Sequence, residues 1–182
     1  MGKHINLIVT GSSKADMSLG LYNELIKKGY SVVIYATEAS RKFVDLGDLD
    51  AGKSKNIHDR TGYQQYHYPA HFTVADEADL TIVYPATASF INRVSNGSPD
   101  DYCSTLVSHT TTPVIFAPSS FERVFTNYAT QRNIDFVKSK SAPNWHILDP
   151  LVENVGVVNE NYYSVPSIEK TITFMEKIID KK

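Results

Sequence analysis

Ile5-Asn6-Leu7-Ile8-Val9-Thr10-Gly11-Ser12-Ser13 is the stretch that decides the fold. Its mostly apolar first part, residues 5–9, is typical of a buried strand, and the rest is typical of a tight turn. Beyond it, apolar residues recur at helical spacing at Leu19, Tyr22, Leu25 and Ile26, and Gly29 stands where a helix C-cap belongs. The first thirty residues therefore predict a strand, a turn and a helix, in that order.

Similar apolar runs repeat this order along the chain. They are Val32-Val33-Ile34, Leu80 to Tyr84, Val114 to Ala117 and Ile147-Leu148. Two of them meet Pro85 and Pro118, which we expect to stop each strand ahead of a helix. Helices are also predicted through Phe43 and Val44 and, from an apolar stripe, over residues 168–179. The alternation predicts an α/β fold: a doubly wound, Rossmann-like or flavodoxin-like parallel sheet with helices on both faces.

Size, charge and cysteine content limit the classes of protein to which this chain can belong. A length of 182 residues predicts one domain, residues 1–182. The net charge of −2 gives no overall attraction to nucleic acid or anionic membranes, and no apolar run suits a secretion signal or a membrane span. Cys103 is the only cysteine, which excludes an intrachain disulfide and a Cys-based metal site. We expect a cytoplasmic protein with Cys103 in its core and with small molecules, peptides or other subunits as partners.

Four loops at the expected carboxyl ends of strands are rich in small and hydroxyl-bearing residues. They are Gly11-Ser12-Ser13, Thr37-Glu38-Ala39-Ser40, Pro85-Ala86-Thr87-Ala88-Ser89 and Pro118-Ser119-Ser120. Ligands of doubly wound sheets bind at these ends, where hydroxyl groups and helix N-termini suit a phosphate. A phosphorylated ligand is therefore expected, the alternative being that these Ser and Thr residues only cap helices. Neither the dinucleotide fingerprint nor the lysine-containing phosphate loop occurs, which argues against nicotinamide and ATP chemistry.

Two segments lack clear periodicity. Gly47 to Pro69 is expected to form a loop with irregular helix. Pro150 to Val165 is long enough to predict a flap or binding loop, because structureless segments of that length in compact domains are often functional.

Residues 71–105 resemble a known family. The run Pro85-Ala86-Thr87-Ala88-Ser89 with its sequel, which includes Asn96-Gly97 and Ser104-Thr105, is similar to the Pro-Ala-Ser-Ala-Asn-Thr motif region of homo-oligomeric flavin-containing cysteine decarboxylases. His71, followed by Ala78-Asp79, falls on the family pattern His-x-x-Leu-x-x-x-Ala-Asp, whose histidine is the catalytic one. The same register places Gly11-Ser12-Ser13 on the family's first flavin loop.

The resemblance implies a flavin cofactor, FMN or alternatively FAD, and no metal. It implies His71 as the catalytic acid–base or positioning group, with His67 as the nearest competitor. Trimers, or dodecamers built from them, are implied, with flavin at the subunit boundary. The residues expected to bind flavin are Gly11, Ser12, Ser13, Thr37, Ser40, Pro85, Ala86, Thr87, Ala88, Ser89, Ser104 and Ser119.

The tail is similar to the branch of this family that serves lantibiotic biosynthesis. Asn127, Gln131 and the closing Val165-Pro166-Ser167 carry that likeness. It implies oxidative decarboxylation of a C-terminal cysteine of a precursor peptide, through a thioaldehyde, to an enethiol. Members that make pantetheine phosphate use a cysteine in the late flap, and residues 150–165 contain none.

Two expected substrate-binding positions depart from the family pattern. Where the family has Pro-x-Met-Asn, this chain has Pro118 followed by Ser119, Ser120 and Phe121, so a phenyl ring replaces the amide that holds the substrate carboxylate. A hydrogen bond to a charged group contributes about 1.5–3 kcal/mol. Three alternatives therefore stay open: decarboxylation of phosphopantothenoylcysteine, flavin reduction, and a flavin-binding regulatory role without turnover.

Overall fold

Parallel strands form the centre of the structure, a computed structural model that describes residues 2–51, 70–156 and 160–180, with the backbone alone for residues 70–73. The strands are β1 (His4–Val9), β2 (Ser31–Ala36), β3 (Leu80–Thr87), β4 (Val114–Phe121) and β5 (Trp145–Ile147). They pair in the order β2-β1-β3-β4-β5. This order is that of flavodoxin-like sheets, and it confirms the predicted fold class.

Helices cover both faces of this sheet. Among the described residues they are α1 (Met17–Lys27), α2 (Ala70–Glu77), α3 (Ala88–Ser95), α4 (Tyr102–His109), α5 (Glu122–Phe125), α6 (Tyr128–Lys138) and α7 (Ile168–Ile179). One core lies beneath Leu21 of α1 and Ile172 of α7. The other lies beneath Ala75 of α2, Phe90 of α3 and Leu106 of α4. In the described part of the chain, no helix is both long and apolar enough to span a bilayer.

The apolar run of β1 arises because both of its faces are buried. Ile5, Leu7 and Val9 belong to the first core, whereas Ile8 belongs to the second. A strand in the middle of a parallel sheet has helices packed on both faces. Its sequence is therefore continuously hydrophobic instead of alternating between apolar and polar residues. The exception in the run is Asn6, which is fully buried on the second face.

The expectation that Pro85 and Pro118 end their strands is wrong. β3 continues to Thr87 and β4 to Phe121. The ladder from β1 to β3 ends at Ile8 and Val83, and the ladder from β3 to β4 shifts register between Val83 and Ala86, so Pro85 stands outside both ladders. A proline without an N–H is tolerated where one side of a strand has no partner. Both strands therefore project past the sheet as extensions.

The helix predicted through Phe43 and Val44 is wrong as well. Two short 3₁₀ turns, Ser40–Lys42 and Gly47–Leu49, take its place, and the chain reaches the edge of the sheet at Asp50. Asp50 explains this path: it makes a β-bridge to Ile34, and its carboxylate accepts from the Ala36 N–H at 3.1 Å. The segment thus protects the β2 edge instead of forming a helix.

Residues 150–165 are not structureless. Within them, β6 (Leu151–Val155) and β7 (Glu160–Ser164) form an antiparallel pair. β7 also pairs with the extension of β4, Ser120 opposite Tyr163 and Phe121 opposite Tyr162. The predicted flap is therefore a pair of strands attached to the carboxyl end of β4.

Candidate functional site

A cleft of about 350 Å³ opens at the carboxyl ends of β1, β3 and β4. Its walls combine small hydroxyl-bearing residues with exposed apolar side chains. The lining residues are Gly11, Ser12, Ser13, Phe43, Thr87, Ala88, Ser89, Ser119, Ser120, Phe121, Val124 and Tyr162. None of these is charged, so the cleft offers hydrogen bonds and apolar contact rather than ionic attraction.

Three hydroxyl groups meet at the floor of the cleft. The Ser12 and Ser119 oxygens lie 2.8 Å apart, and the Tyr162 hydroxyl lies 3.1 Å from Ser12 and 2.9 Å from Ser119. All three residues are buried. Because each hydroxyl can both donate and accept, the group can turn a donor toward a bound oxygen without losing every internal bond.

Backbone packing holds the loops of this edge close together. A Cβ on Gly11 would lie 2.6 Å from the Ala39 Cβ, so only glycine permits this approach. The Thr10 hydroxyl donates to the Pro85 carbonyl at 2.8 Å and accepts from the Thr87 N–H at 3.0 Å. The loops after β1, β2 and β3 are thereby fixed relative to one another.

A second depression of about 320 Å³ adjoins the cleft and shares Gly11, Thr87 and Ser89 with it. Its further lining residues are Thr10, Thr37, Glu38, Ala39, Arg93 and Asp101. Arg93 brings a positive charge to this end, paired with Asp100 and, at 3.3 Å, with Asp101. Its guanidinium also lies 5.7 Å from the Phe90 ring centroid. Polar and charged groups thus concentrate here, and apolar groups in the main cleft.

Most residues singled out from the sequence meet at these two depressions. Gly11, Ser12, Ser13, Thr87, Ala88, Ser89, Ser119, Ser120 and Phe121 line the cleft, and Thr37 lines its neighbour. Pro85 and Ala86 lie behind them in the extension of β3, where the Ala86 side chain is fully buried.

Ser40 and Ser104 line neither depression. The Ser40 hydroxyl donates to the Thr37 carbonyl at 2.7 Å. Ser104 forms a capping box at the start of α4, where its N–H donates to the Asp101 carboxylate at 2.7 Å. These two serines thus have the helix- and turn-capping contacts that were the alternative reading of the hydroxyl-rich loops.

His71 is the second residue of α2. α2 leads into β3 and covers the sheet, and such crossover helices run antiparallel to the strands, so its first turn faces the carboxyl edge. The His71 side chain and the whole of His67 lie outside the described residues.

Tyr162 and Phe43 are cleft residues that sequence reasoning missed. Tyr162 arrives on β7 from the far end of the chain, and its ring packs edge-on against Phe121 with centroids 5.0 Å apart. Phe43 is 51% exposed over the cleft. The only available signal for Tyr162 was its place beside Tyr163 in an otherwise polar segment.

Cys103 takes no part in the cleft. It is 2% exposed in the second core, as predicted. Burial, together with the nearby Asp101 carboxylate, raises the pKa of its thiol well above the ordinary value. A neutral, buried thiol is a packing residue and a poor nucleophile.

Comparison with known proteins extends these observations. The family described as Flavoprotein matches residues 1–179. The coenzyme A biosynthesis bifunctional protein CoaBC of Mycolicibacterium smegmatis is 24% identical over 180 residues, which are 98% of this chain and 42% of that protein. The chain thus spans less than half the length of the curated relatives that it matches.

Solved structures share this fold over most of the chain. A PPC decarboxylase mutant in complex with pantothenoylaminoethenethiol superposes with a TM-score of 0.81 at 15% identity, covering 97% of each chain. Peptidyl-cysteine decarboxylase EpiD gives 0.74 at 21% identity, covering 96% of this chain and 98% of that one. The FMN-dependent cysteine decarboxylase TvaF from thioviridamide biosynthesis gives 0.67 at 23% identity, covering 81% and 90%.

Proposed function

This chain belongs to the flavoprotein family, and from that premise we propose that it is an FMN-dependent decarboxylase of a C-terminal cysteine on a precursor peptide. The observation that carries the proposal is the paired depression at the carboxyl edge of the sheet. It has a hydroxyl-rich end beside Arg93 and an apolar end beside Phe121. An elongated ligand with a phosphate at one end and a flat ring system at the other matches this division.

The residues present fit a flavin on structural grounds. Gly11 lets the loop after β1 lie against Ala39 of the loop after β2, and both residues line the depression proposed for the phosphate. Thr37 and Ser89, with Arg93, would hold the phosphate, and α3 begins at Ala88 with its N–H groups at the same place. Thr87, Ala88 and Ser119 would face the ring system. When bound, the flavin supplies the two-electron acceptor of the reaction.

The reaction proceeds in two steps on the substrate. Removal of a hydride from Cβ and of the thiol proton turns the cysteine into a thioaldehyde. The bond from Cα to the carboxylate then breaks, carbon dioxide leaves, and the electron pair moves to sulfur to give an enethiolate. We assign to His71 either the removal of the thiol proton or the positioning of the thiol, roles for which imidazole groups are suited.

The peptide substrate is favoured by the apolar rim of the cleft. Phe43, Phe121 and Val124 are 51%, 45% and 47% exposed around it. Exposed apolar groups that converge on one cleft stabilise a side chain next to the reacting cysteine. The β6–β7 pair carries no cysteine that could return electrons to an enethiol. We therefore propose that the enethiol is the product.

The proposed setting is a homo-oligomer in the cytoplasm, either a trimer or a dodecamer built from trimers. Leu151 and Val152 of β6 are apolar and 44% and 59% exposed, which suits contact with a second subunit. Light scattering that gives the mass of a monomer across micromolar concentrations would contradict the oligomer.

Mass spectrometry of cysteine-ending peptides tests the activity. Purified protein should be yellow, and a converted peptide should lose the mass of carbon dioxide and two hydrogen atoms. A matched peptide ending in alanine should stay unchanged. Phosphopantothenoylcysteine serves as the competing substrate, and preferential conversion of it would overturn the peptide assignment. A protein that takes up neither FMN nor FAD would overturn the flavin assignment.

A further inference from the structure

Two buried polar side chains lie on the face of the sheet that α2 covers. Asn6 of β1 and Thr81 of β3 are register partners, and neither has any exposed surface. Among the described residues, the Asn6 Oδ1 and the Thr81 Oγ1 have no hydrogen-bond partner, whereas the Asn6 Nδ2 donates to the Val74 carbonyl at 3.0 Å. An amide in this position is unexpected, because the neighbouring core positions are apolar.

α2 requires such donors at its C-terminal end. The last four carbonyls of a helix have no partner within the helix. α2 ends at Glu77 and the chain enters β3 at Leu80, so there is no room for a separate capping loop. Asn6 satisfies the Val74 carbonyl, and the Thr110 hydroxyl donates to the Ala75 carbonyl at 3.1 Å.

β1 also holds the connection that follows α2. The His4 N–H donates to the Asp79 carboxylate at 2.7 Å, and the Asp79 N–H donates to the His4 carbonyl at 2.8 Å. The other end of the same strand leads into Gly11 and Ser12 of the cleft. A single strand therefore relates the position of α2 to that of the cleft.

We propose that Asn6 is a positioning residue for His71. Val74 follows His71 by three residues, less than one turn of α2. The hydrogen bond from the Asn6 side-chain amide to the Val74 carbonyl fixes this turn relative to β1, and hence relative to the cleft. The proposal rests on the catalytic role assigned to His71 above. Thr81 makes no side-chain hydrogen bond to the described part of α2, although it lies in the same buried layer, so it provides a matched control.

The test compares N6L with T81V in the flavin-loaded protein. Leucine has the same branched outline as asparagine but is larger and cannot donate, and valine replaces threonine without a change of shape. N6L should lower kcat about tenfold to a hundredfold, since small misplacements of a reacting group have effects of that order. KM and the flavin Kd should stay within about twofold, because the cleft loops are untouched. T81V should keep full turnover.

Two further readouts separate positioning from general destabilisation. N6L should shift the His71 imidazole resonances and their titration in NMR, and T81V should not, whether or not substrate is present. In an H71N background, N6L should cause no additional loss of turnover. If N6L does not fold, T110V removes the neighbouring bond to α2 and should show the same pattern more weakly.

Distinct results would overturn the two proposals. Unchanged His71 resonances and full turnover in N6L, or equal losses in T81V, would remove the positioning role of Asn6. Full turnover in H71N would instead remove the catalytic role of His71, and the positioning role with it. An inactive H71N beside a fully active N6L would overturn the positioning role alone.

Discussion

The hydroxyl oxygens of Ser119 and Tyr162 lie 2.9 Å apart and join the extension of β4 to β7. Ser12, at the end of β1, completes the group from the other side. The late pair of strands thus forms part of the cleft floor. This relationship makes the contribution of the Tyr162 hydroxyl measurable separately from that of its ring.

Tyr162→Phe should lower the free energy of unfolding by about 0.5–1.5 kcal/mol, the usual net value of an intramolecular hydrogen bond. The ring would keep its edge-on contact with Phe121. Tyr128→Phe is the matched control, because Tyr128 is 85% exposed and its hydroxyl faces solvent. Urea unfolding of the three proteins checks this prediction, and an equal loss in both variants would contradict it.

Gly11→Ala should weaken flavin binding, because the new methyl group would lie 2.6 Å from the Ala39 Cβ and force the two loops apart. Gly156→Ala is the control, since no atom of the part of the chain that the structure describes lies within 4 Å of its Cβ position. Fluorescence titration with FMN measures both affinities. Adding Ala39→Gly to Gly11→Ala should restore part of the lost affinity. Unaltered FMN affinity in Gly11→Ala would argue against a ligand at this loop.

His71→Asn should keep the fold and the yellow colour but lower the decarboxylation rate about 10²–10⁴-fold, the usual contribution of a general acid–base group. His67→Asn should cost far less. Initial rates on a cysteine-ending peptide, with flavin content measured in parallel, check the prediction. Loss of flavin or of thermal stability without a selective loss of rate would identify His71 as a packing residue.

Phe121→Asn should raise the affinity for cysteine-ending substrates, because the new amide can donate a hydrogen bond to the substrate carboxylate. The amide would regain a hydrogen bond to a charged group, about 1.5–3 kcal/mol, which corresponds to roughly tenfold or more in affinity. We expect a lower KM for short cysteine-ending peptides and a smaller preference for an apolar neighbouring residue. Combining it with Ser120→Met brings the loop closer to the family pattern. A double variant with unaltered KM would show that Phe121 does not set substrate choice.

Alkaline pH should destabilise the protein through Cys103. In the unfolded chain the thiol ionises near its ordinary pKa of 9.0, whereas burial keeps it protonated in the folded state. The unfolded state then binds fewer protons, so the free energy of unfolding falls as pH rises, by up to about 1.4 kcal/mol per pH unit.

Cys103→Ala should flatten this fall between about pH 8 and pH 10. Urea midpoints across that range measure it, and parallel curves for the two proteins would contradict it. Tyr84 contributes a similar fall at higher pH, because burial raises its pKa to about 12.

Local pattern in the sequence determined the order of elements. The runs at β1, β2, β3, β4 and near β5 were predicted as strands because doubly covered strands must be apolar throughout. Gly29 closes α1 with φ of 87°, as its place after the helical spacing indicated. Gly11, Thr87 and Ser119 meet at one edge because parallel strands bring their carboxyl ends together. These features depend on neighbours in sequence and on general rules of topology.

Tertiary structure alone decided the rest of the cleft. Tyr162 meets Ser12 across 150 positions of the chain, a contact that no local periodicity encodes. The prediction that Pro85 and Pro118 end their strands was wrong because the free-energy cost of a proline in a strand depends on whether a partner strand faces it. Only the assembled sheet determines which positions have a partner. Asn6 is a similar case. Its sequence neighbours indicate an ordinary buried strand, and its amide finds the Val74 carbonyl as acceptor only when α2 packs against β1. Hydrogen bonds between segments that are distant in sequence depend on which segments pack side by side, and the whole fold determines that packing.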